Sequence, residues 1–471
     1  MEENKKIFDD LLSRYSEVEK SQAFKKLNFN LILRLGLLYL ILYVDCCNLR
    51  NAYPAGMGQE WGFTSDRFGW KIMLVYIAYI AINWHMLLKK IIPLPLWVAG
   101  ITFGWGTCIM IDAVAGRSAS LQAIRCVMII FRAGFAPGVA LYLSFFYPRS
   151  EMGFRYALFI SCSANANGFA SALANQIAHA TISIVSFKLV VLIVSIHAFA
   201  IPPLVSALFP TGPGKCCFLT LEENEIVRLR ALSARGYEKK GKLNMNDISA
   251  ALWDYKNYVQ GVILLCLNFT FRALPAFLPT VIEDMGYSTT QAKGLSITPY
   301  LLAYCICPLA SFASDRVGNR SNFVSILSIL GGVGYLIQAL VKAEGVRYYA
   351  CFLICGGVFP SMVLIFTWVT DNGGSASKRG AGLVILSMLG QLGSIAGGRF
   401  FPKEEGPLYV KGMGISAGLL FFAAVLAQVL GSLLRRENVR RNAVHGFEDG
   451  NRKDNIAIDS RDDYPSFRFI L

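Results

Sequence analysis

Apolar blocks about 20 residues long recur along the whole chain, and no other feature constrains its fold as tightly. A helix rises about 1.5 Å per residue and the hydrocarbon core of a bilayer is about 30 Å thick, so a block of this length makes one crossing. Lipid offers the backbone no hydrogen-bond partners, which restricts stretches of this kind to helices. Spans are expected at 29–48, 69–88, 95–115, 120–146, 156–178, 187–209, 258–282, 292–314, 322–341, 348–370, 379–398 and 414–434. The expected fold class is therefore an all-α membrane protein with twelve transmembrane helices. Hydrophobic residues make up 54% of the chain and charged residues only 16%, against about 25% charged in a soluble protein. That balance excludes a string of soluble domains, a disordered chain and a secreted disulfide scaffold.

Composition changes once, between the sixth and seventh spans. Residues 210–256 are rich in Lys, Arg and Glu, and Thr220 followed by Glu222 and Glu223 predicts a helix start with acids in its first turn. The organisation that follows is an N-tail (1–28), a six-helix bundle (29–209), a linker (210–256), a second six-helix bundle (257–434) and a C-tail (435–471). The tail from Arg435 is polar and reads as unstructured. Two six-helix halves around a central site describe one class of secondary transporter.

The net charge is +14. A basic chain can mark nucleic-acid binding, but most of the Lys and Arg lie in segments that an inside start and twelve crossings place in the cytosol. The positive-inside rule accounts for that asymmetry, so no nucleic-acid partner is expected and both termini are expected to be cytosolic. Residues 1–28 lack the apolar stretch of a cleavable signal, so the first span is expected to insert itself. The 12 cysteines have no metal or redox spacing, and most read as small buried residues. Cys216 and Cys217, just past the sixth span, are candidates for palmitoylation. No catalytic constellation, cofactor motif or metal site is found.

Ionisable side chains within spans are costly and mark candidate sites. Arg34, near the start of the first span, can snorkel to the surface. Arg125 and Arg132 lie two helical turns apart on one face of the fourth span, about 10 Å along its axis. Asp45 matches Arg125 in depth, which pairs those two and leaves Arg132 for a substrate anion; a guanidinium fork suits a carboxylate. The competing reading is a structural charge network without substrate contact. Arg272 in the seventh span is the matching candidate of the second half. Asp45, and less strongly His197 in the sixth span, are candidates for proton coupling, because desolvation raises a carboxylate pKa while a nearby Arg lowers it. Asn83 and Gln391 could face the same cavity. Gly134, Pro137 and Gly138 in the fourth span, and Gly390, Gly393, Gly397 and Gly398 in the eleventh, predict close helix packing that also permits sliding.

The string Asp315-Arg316-Val317-Gly318-Asn319-Arg320, between spans eight and nine, resembles the short cytosolic motif of the major facilitator superfamily. Other stretches resemble the fungal anion:cation symporters of the allantoate permease group. These are Val44–Ala52 with Gly56-Met57, Arg125 through Gly138 with Phe146–Glu151 and Arg155, and Phe218–Glu225. Phe277–Val281 with Met285–Ser288, then Trp368, Asn372, Gly374, Lys378 and Arg379, then Pro407-Leu408-Tyr409 and Arg436-Glu437-Asn438, complete the set. The resemblance implies the major facilitator fold, carriage of nicotinate-like or pantothenate-like carboxylates, and a gating role for Asp315, Arg316 and Arg320. Two departures stand out. Cys46 replaces an Arg after the first-span Asp, and Arg132 stands where the group has Glu, which moves the cavity charge toward an anion site and puts proton coupling in question. The expected function is proton-coupled uptake of a small organic anion by a monomer in the plasma membrane. The alternative is a transporter-like sensor that binds ligand without net transport.

Overall fold

The computed structural model describes residues 10–52, 77–90, 92–114, 135–163, 209–235, 244–397, 408–445 and 467–471, with isolated residues 124, 127, 128, 131, 166 and 400. The elements are α1 (Glu17–Ala52), a 3-10 helix (Asn83–Lys90), α2 (Leu94–Val114), α3 (Phe135–Phe146), a 3-10 turn (Arg149–Glu151), α4 (Leu221–Arg235), α5 (Met245–Leu252) and α6 (Tyr255–Asp284). Then come α7 (Thr289–Leu295), α8 (Ile297–Val317), α9 (Arg320–Leu340), α10 (Glu344–Asn372), α11 (Ala376–Gly397) and α12 (Val410–His445). No strand occurs among the described residues. Five of the described helices, α8 to α12, are long and apolar enough to cross a membrane.

Local chemistry sets the helix ends. Thr220 and Glu223 form a reciprocal cap at the start of α4, each side chain accepting the other's backbone N–H at 3.3 and 3.0 Å, as the sequence predicts. Ser16 and Glu19 do the same for α1, and Ser288 and Gln291 for α7. The expected span at 292–314 is divided at Ser296: α7 is a separate short helix, and the spanning helix is Ile297–Val317. Between α8 and α9 the turn is two residues long. Gly318, at φ 71°, closes α8 in the left-handed region that glycine enters without penalty. Asn319 opens α9 by accepting the Asn322 N–H at 3.1 Å.

The second half packs through glycine. Added Cβ atoms on Gly393 and Gly397 of α11 would overlap the Leu265 and Phe269 carbonyl oxygens of α6, and one on Gly357 of α10 would overlap the α9 backbone at Leu327 and Gly331. Helices in lipid gain no hydrophobic driving force from touching each other, so close backbone contact of this kind supplies the attraction. The expected glycine stripe of the eleventh span is therefore a helix–helix seam.

The described residues of the linker, 210–235 and 244–256, include α4 and α5. Glu223 of α4 pairs with Lys26 of α1, whose ammonium holds the Glu223 carboxyl below its usual range, helped by the Thr220 N–H. Arg34 of α1 lies with its guanidinium 4.8 Å from the centre of the Phe218 ring. Asn224 reaches back to Cys216, donating to its carbonyl at 2.9 Å and accepting its N–H at 2.8 Å. Cys216 is buried and Cys217 exposed, so the pair does not offer two acylation sites. Burial pushes the Cys216 thiol up to about 12, which leaves a thiolate fraction at pH 8 on the order of one in ten thousand. Brief maleimide treatment at pH 8 is expected to modify Cys217 and spare Cys216, read by peptide mass spectrometry; equal modification would place Cys216 at the surface.

The expectation of an unstructured C-tail is corrected at its described residues, 435–445 and 467–471. α12 continues to His445, because Arg, Glu and Ala are good helix formers outside lipid. Residues 467–471 pack against the protein, with Phe467 and Phe469 buried.

Candidate functional site

The turn between α8 and α9, the ends of α10 and α6, and helices α4 and α5 lie on one face, here termed the linker face. Ser375 at the α10–α11 turn donates to Asp247 of α5 at 2.6 Å, and the Asn244 N–H donates to Ser377 at 3.2 Å. Asp254 caps α6 and pairs with Lys256 and Lys378, each at 3.2 Å.

At the centre of this face is a buried ion cluster. Arg320, at the first position of α9, is 1% exposed, and Asp371, near the end of α10, is 0% exposed. The Arg320 guanidinium donates to Asp371 Oδ2 from Nε at 3.2 Å and Nη2 at 2.9 Å. It also pairs with Asp315 of α8 and reaches Ser314 at 3.4 Å. Two carboxylates around one guanidinium leave no buried charge without an opposite neighbour, and the planar fork lets one side chain serve both.

The cluster joins the two halves. Asp315 Oδ2 accepts the backbone N–H of Phe154, from the first half, at 2.8 Å. Gly153 lies so close that a Cβ there would meet Asp315 and the Arg320 guanidinium. Around it, Arg149 donates to Asn372 Oδ1 at 3.3 Å. Phe154 meets Phe312 edge-on at 5.7 Å, and Tyr156 meets Phe366 at 6.0 Å. Glu151 is held by Arg230 of α4 at 2.7 Å and Arg155 at 3.1 Å. The halves are in contact on the linker face, and charge-assisted bonds carry much of that contact.

The string Asp315 to Arg320 divides in two. Asp315 and Arg320 enter the cluster, whereas Arg316 is exposed and sits 4.9 Å over the Phe312 ring. Asp371, which completes the cluster, went unread in the sequence; its signal is a carboxylate placed at the end of an otherwise uncharged span, beside Asn372. Asn83 lies on the 3-10 helix and donates to the Val384 carbonyl of α11 at 3.4 Å, across the halves, while its own Oδ1 is buried with no hydrogen-bond partner among the described residues. Gln391 is two turns further along α11, half-buried, and Arg272 is half-buried on the neighbouring α6. Pro137 and Gly138 are buried in α3. Asp45 lies within α1, but its side chain is outside the described set, and Arg125, Arg132, Gly134 and His197 lie outside the described residues.

Apolar helices long enough to span a bilayer, meeting over a buried charge cluster between two halves, define a multi-pass membrane protein. The sequence profile of the Major Facilitator Superfamily matches residues 35–398. The chain belongs to that superfamily, and the fungal symporter resemblance falls within it. Among its relatives is the major facilitator-type transporter hxnP of Emericella nidulans, 25% identical over 444 residues and covering 92% of this chain and 89% of the relative. Another is the high-affinity nicotinic acid transporter of Saccharomyces cerevisiae, 23% identical over 439 residues, covering 93% and 82%. The fold is similar to that of the E. coli fucose:proton symporter FucP, with a TM-score of 0.61 at 14% identity, covering 85% of this chain and 98% of that one. It is similar also to the proton:xylose symporter XylE, with a TM-score of 0.63 at 14% identity, covering 87% and 95%.

Proposed function

We propose that this protein is a secondary active transporter that carries a small organic anion, a vitamin or nitrogenous carboxylate such as allantoate, nicotinate or pantothenate, into the cell with protons. In this reading twelve spans form two six-helix bundles, 29–209 and 257–434, around a midplane site, and the linker face is cytosolic in the plasma membrane. Arg125, Arg132 and Arg272 bind the anion, Asn83 and Gln391 line the path, and Asp45 and His197 carry the proton. The observation that carries the reading is the ion cluster of Arg320, Asp315 and Asp371 docked on the Phe154 N–H. Alternating access requires a closure on one face that can release as the other face shuts, and a charge-assisted contact between rigid halves is suited to that. The likeness to a nicotinic acid transporter supports an anionic substrate.

The test is uptake of labelled nicotinate, pantothenate, biotin and allantoate into cells lacking their own carriers, at external pH 5 and pH 7.5. Net accumulation of at least one carboxylate, several-fold faster at the acid pH, is the expected result. Specific binding with no accumulation would replace the transporter by a sensor, and neither binding nor accumulation of any carboxylate would overturn the anion reading.

A further inference from the structure

Residues 467–471 are bound as a peptide is bound in a receptor. Phe467 and Phe469 lie on one side, their ring centres 5.2 Å apart, and the backbone is read by side-chain amides. Asn438 of α12 accepts the Phe469 N–H at 2.9 Å and donates to the Phe469 carbonyl at 2.8 Å. Asn372 of α10 does the same for Ile470, at 2.8 and 2.9 Å, and the Trp368 indole N–H adds a bond to the Ile470 carbonyl at 2.9 Å. The Leu471 carbonyl accepts the backbone N–H groups of Arg320 and Ser321, two of the first-turn donors that a helix leaves unsatisfied. Two amide side chains that each bond both polar groups of one residue copy a strand ladder. Such recognition takes its affinity from the main chain and its specificity from pockets for alternate side chains.

Those pockets are aromatic and basic, and they belong to both halves. Phe467 lies under the Arg149 guanidinium of the first half at 4.4 Å, and Arg149 also donates to the Arg468 carbonyl at 3.4 Å. Phe469 is flanked by Lys256 at 4.1 Å and Arg441 at 4.8 Å. Arg468 donates to Asn442 of α12 at 2.6 Å. The segment therefore holds Arg149 on one side and Asn372, Trp368 and Asn438 on the other, and it grips the backbone of the same Arg320 whose side chain centres the ion cluster. Separating the halves at Arg149 and Asn372 breaks contacts to the segment as well.

We propose that the linker face carries a peptide-binding site whose occupant is this chain's own segment Phe467–Leu471, and that the bound segment latches the two halves closed on that face. Release of the segment is a step in opening. The latch rests on the reading that the halves separate during the cycle, but its test needs no substrate. Thr370 is fully buried on α10 and faces Met152 of the first half, so the rate of N-ethylmaleimide modification of Thr370→Cys, read at that peptide by mass spectrometry, reports opening.

Deleting residues 467–471 is expected to raise that rate several-fold, and adding the peptide Ser-Phe-Arg-Phe-Ile-Leu to the deleted protein is expected to lower it again, where a scrambled peptide does not. Asn438→Ala, which removes a clamp without touching the ion cluster, is expected to act in the same direction as the deletion, with the thermal unfolding of each variant measured alongside. An unchanged or slower rate in both variants, with folding intact, overturns the latch. A rate that responds to a transported carboxylate but not to the deletion overturns the latch while leaving the transport reading in place.

Discussion

Arg320→Ala is expected to be the most damaging single substitution in the described half of the gate. Arg320 is buried between Asp315 and Asp371, and its removal leaves two buried carboxylates facing each other with no cation between them. Breaking a buried ion pair from one side costs about 3–5 kcal/mol, most of it the price of an uncompensated charge. Uptake should be lost and thermal unfolding of the purified protein should fall sharply. Arg320→Lys keeps the charge but loses the fork that reaches both carboxylates, so it should fall between wild type and alanine. Asp371→Asn in the Arg320→Ala background should restore part of the loss by removing one of the stranded charges. Arg316→Ala is the control: it is exposed and outside the cluster, and should change stability by less than about 0.5 kcal/mol. An Arg320→Ala protein that unfolds with the wild type would show that the cluster is not what holds the gate.

Gly393→Ala is expected to have the second-largest effect, although it adds one methyl group. The new carbon would overlap the Leu265 carbonyl oxygen, a backbone atom that no rotamer change can move, so α11 and α6 must part. Overpacking of this kind costs about 1–3 kcal/mol, and here it also weakens the close contact on which membrane helices depend. The matched control carries the opposite sign. A Cβ on Gly418 of α12 meets nothing within 4 Å, so Gly418→Ala should be neutral or stabilising by roughly 0.5–1 kcal/mol through helix propensity. Thermal unfolding of the two variants side by side checks both signs, and similar melting of the pair would refute the seam.

Much of the second half was readable from hydropathy. The expected spans 322–341 and 379–398 correspond to Arg320–Leu340 and Ala376–Gly397. Hydropathy records only the part of a helix that lipid solvates, so it missed the charged extensions of α1 back to Glu17 and of α12 on to His445. It also merged α7 with α8, since the break between them is a single residue, Ser296. Asp315 and Arg320 were legible through the resemblance of their turn to the short cytosolic motif of the major facilitator superfamily. Asp371 was not, because its partner is 51 positions away and a carboxylate at a span end looks like an ordinary boundary. The segment 467–471 left still less trace: five residues are too few for a period, and contacts made by the backbone impose no pattern on the side chains. Arg316 is a motif residue that the fold leaves exposed, over the Phe312 ring.

The missing side chain at position 153 is what lets the chain before the linker lie directly against the Asp315–Arg320 pair. A Cβ there would meet Asp315 Oδ1 and the Arg320 guanidinium, so the backbone at this point approaches the charged groups as closely as the smallest residue in the genetic code permits. Any larger residue there would have to push aside the tips of the Asp315 and Arg320 side chains, and with them the geometry of the charge cluster.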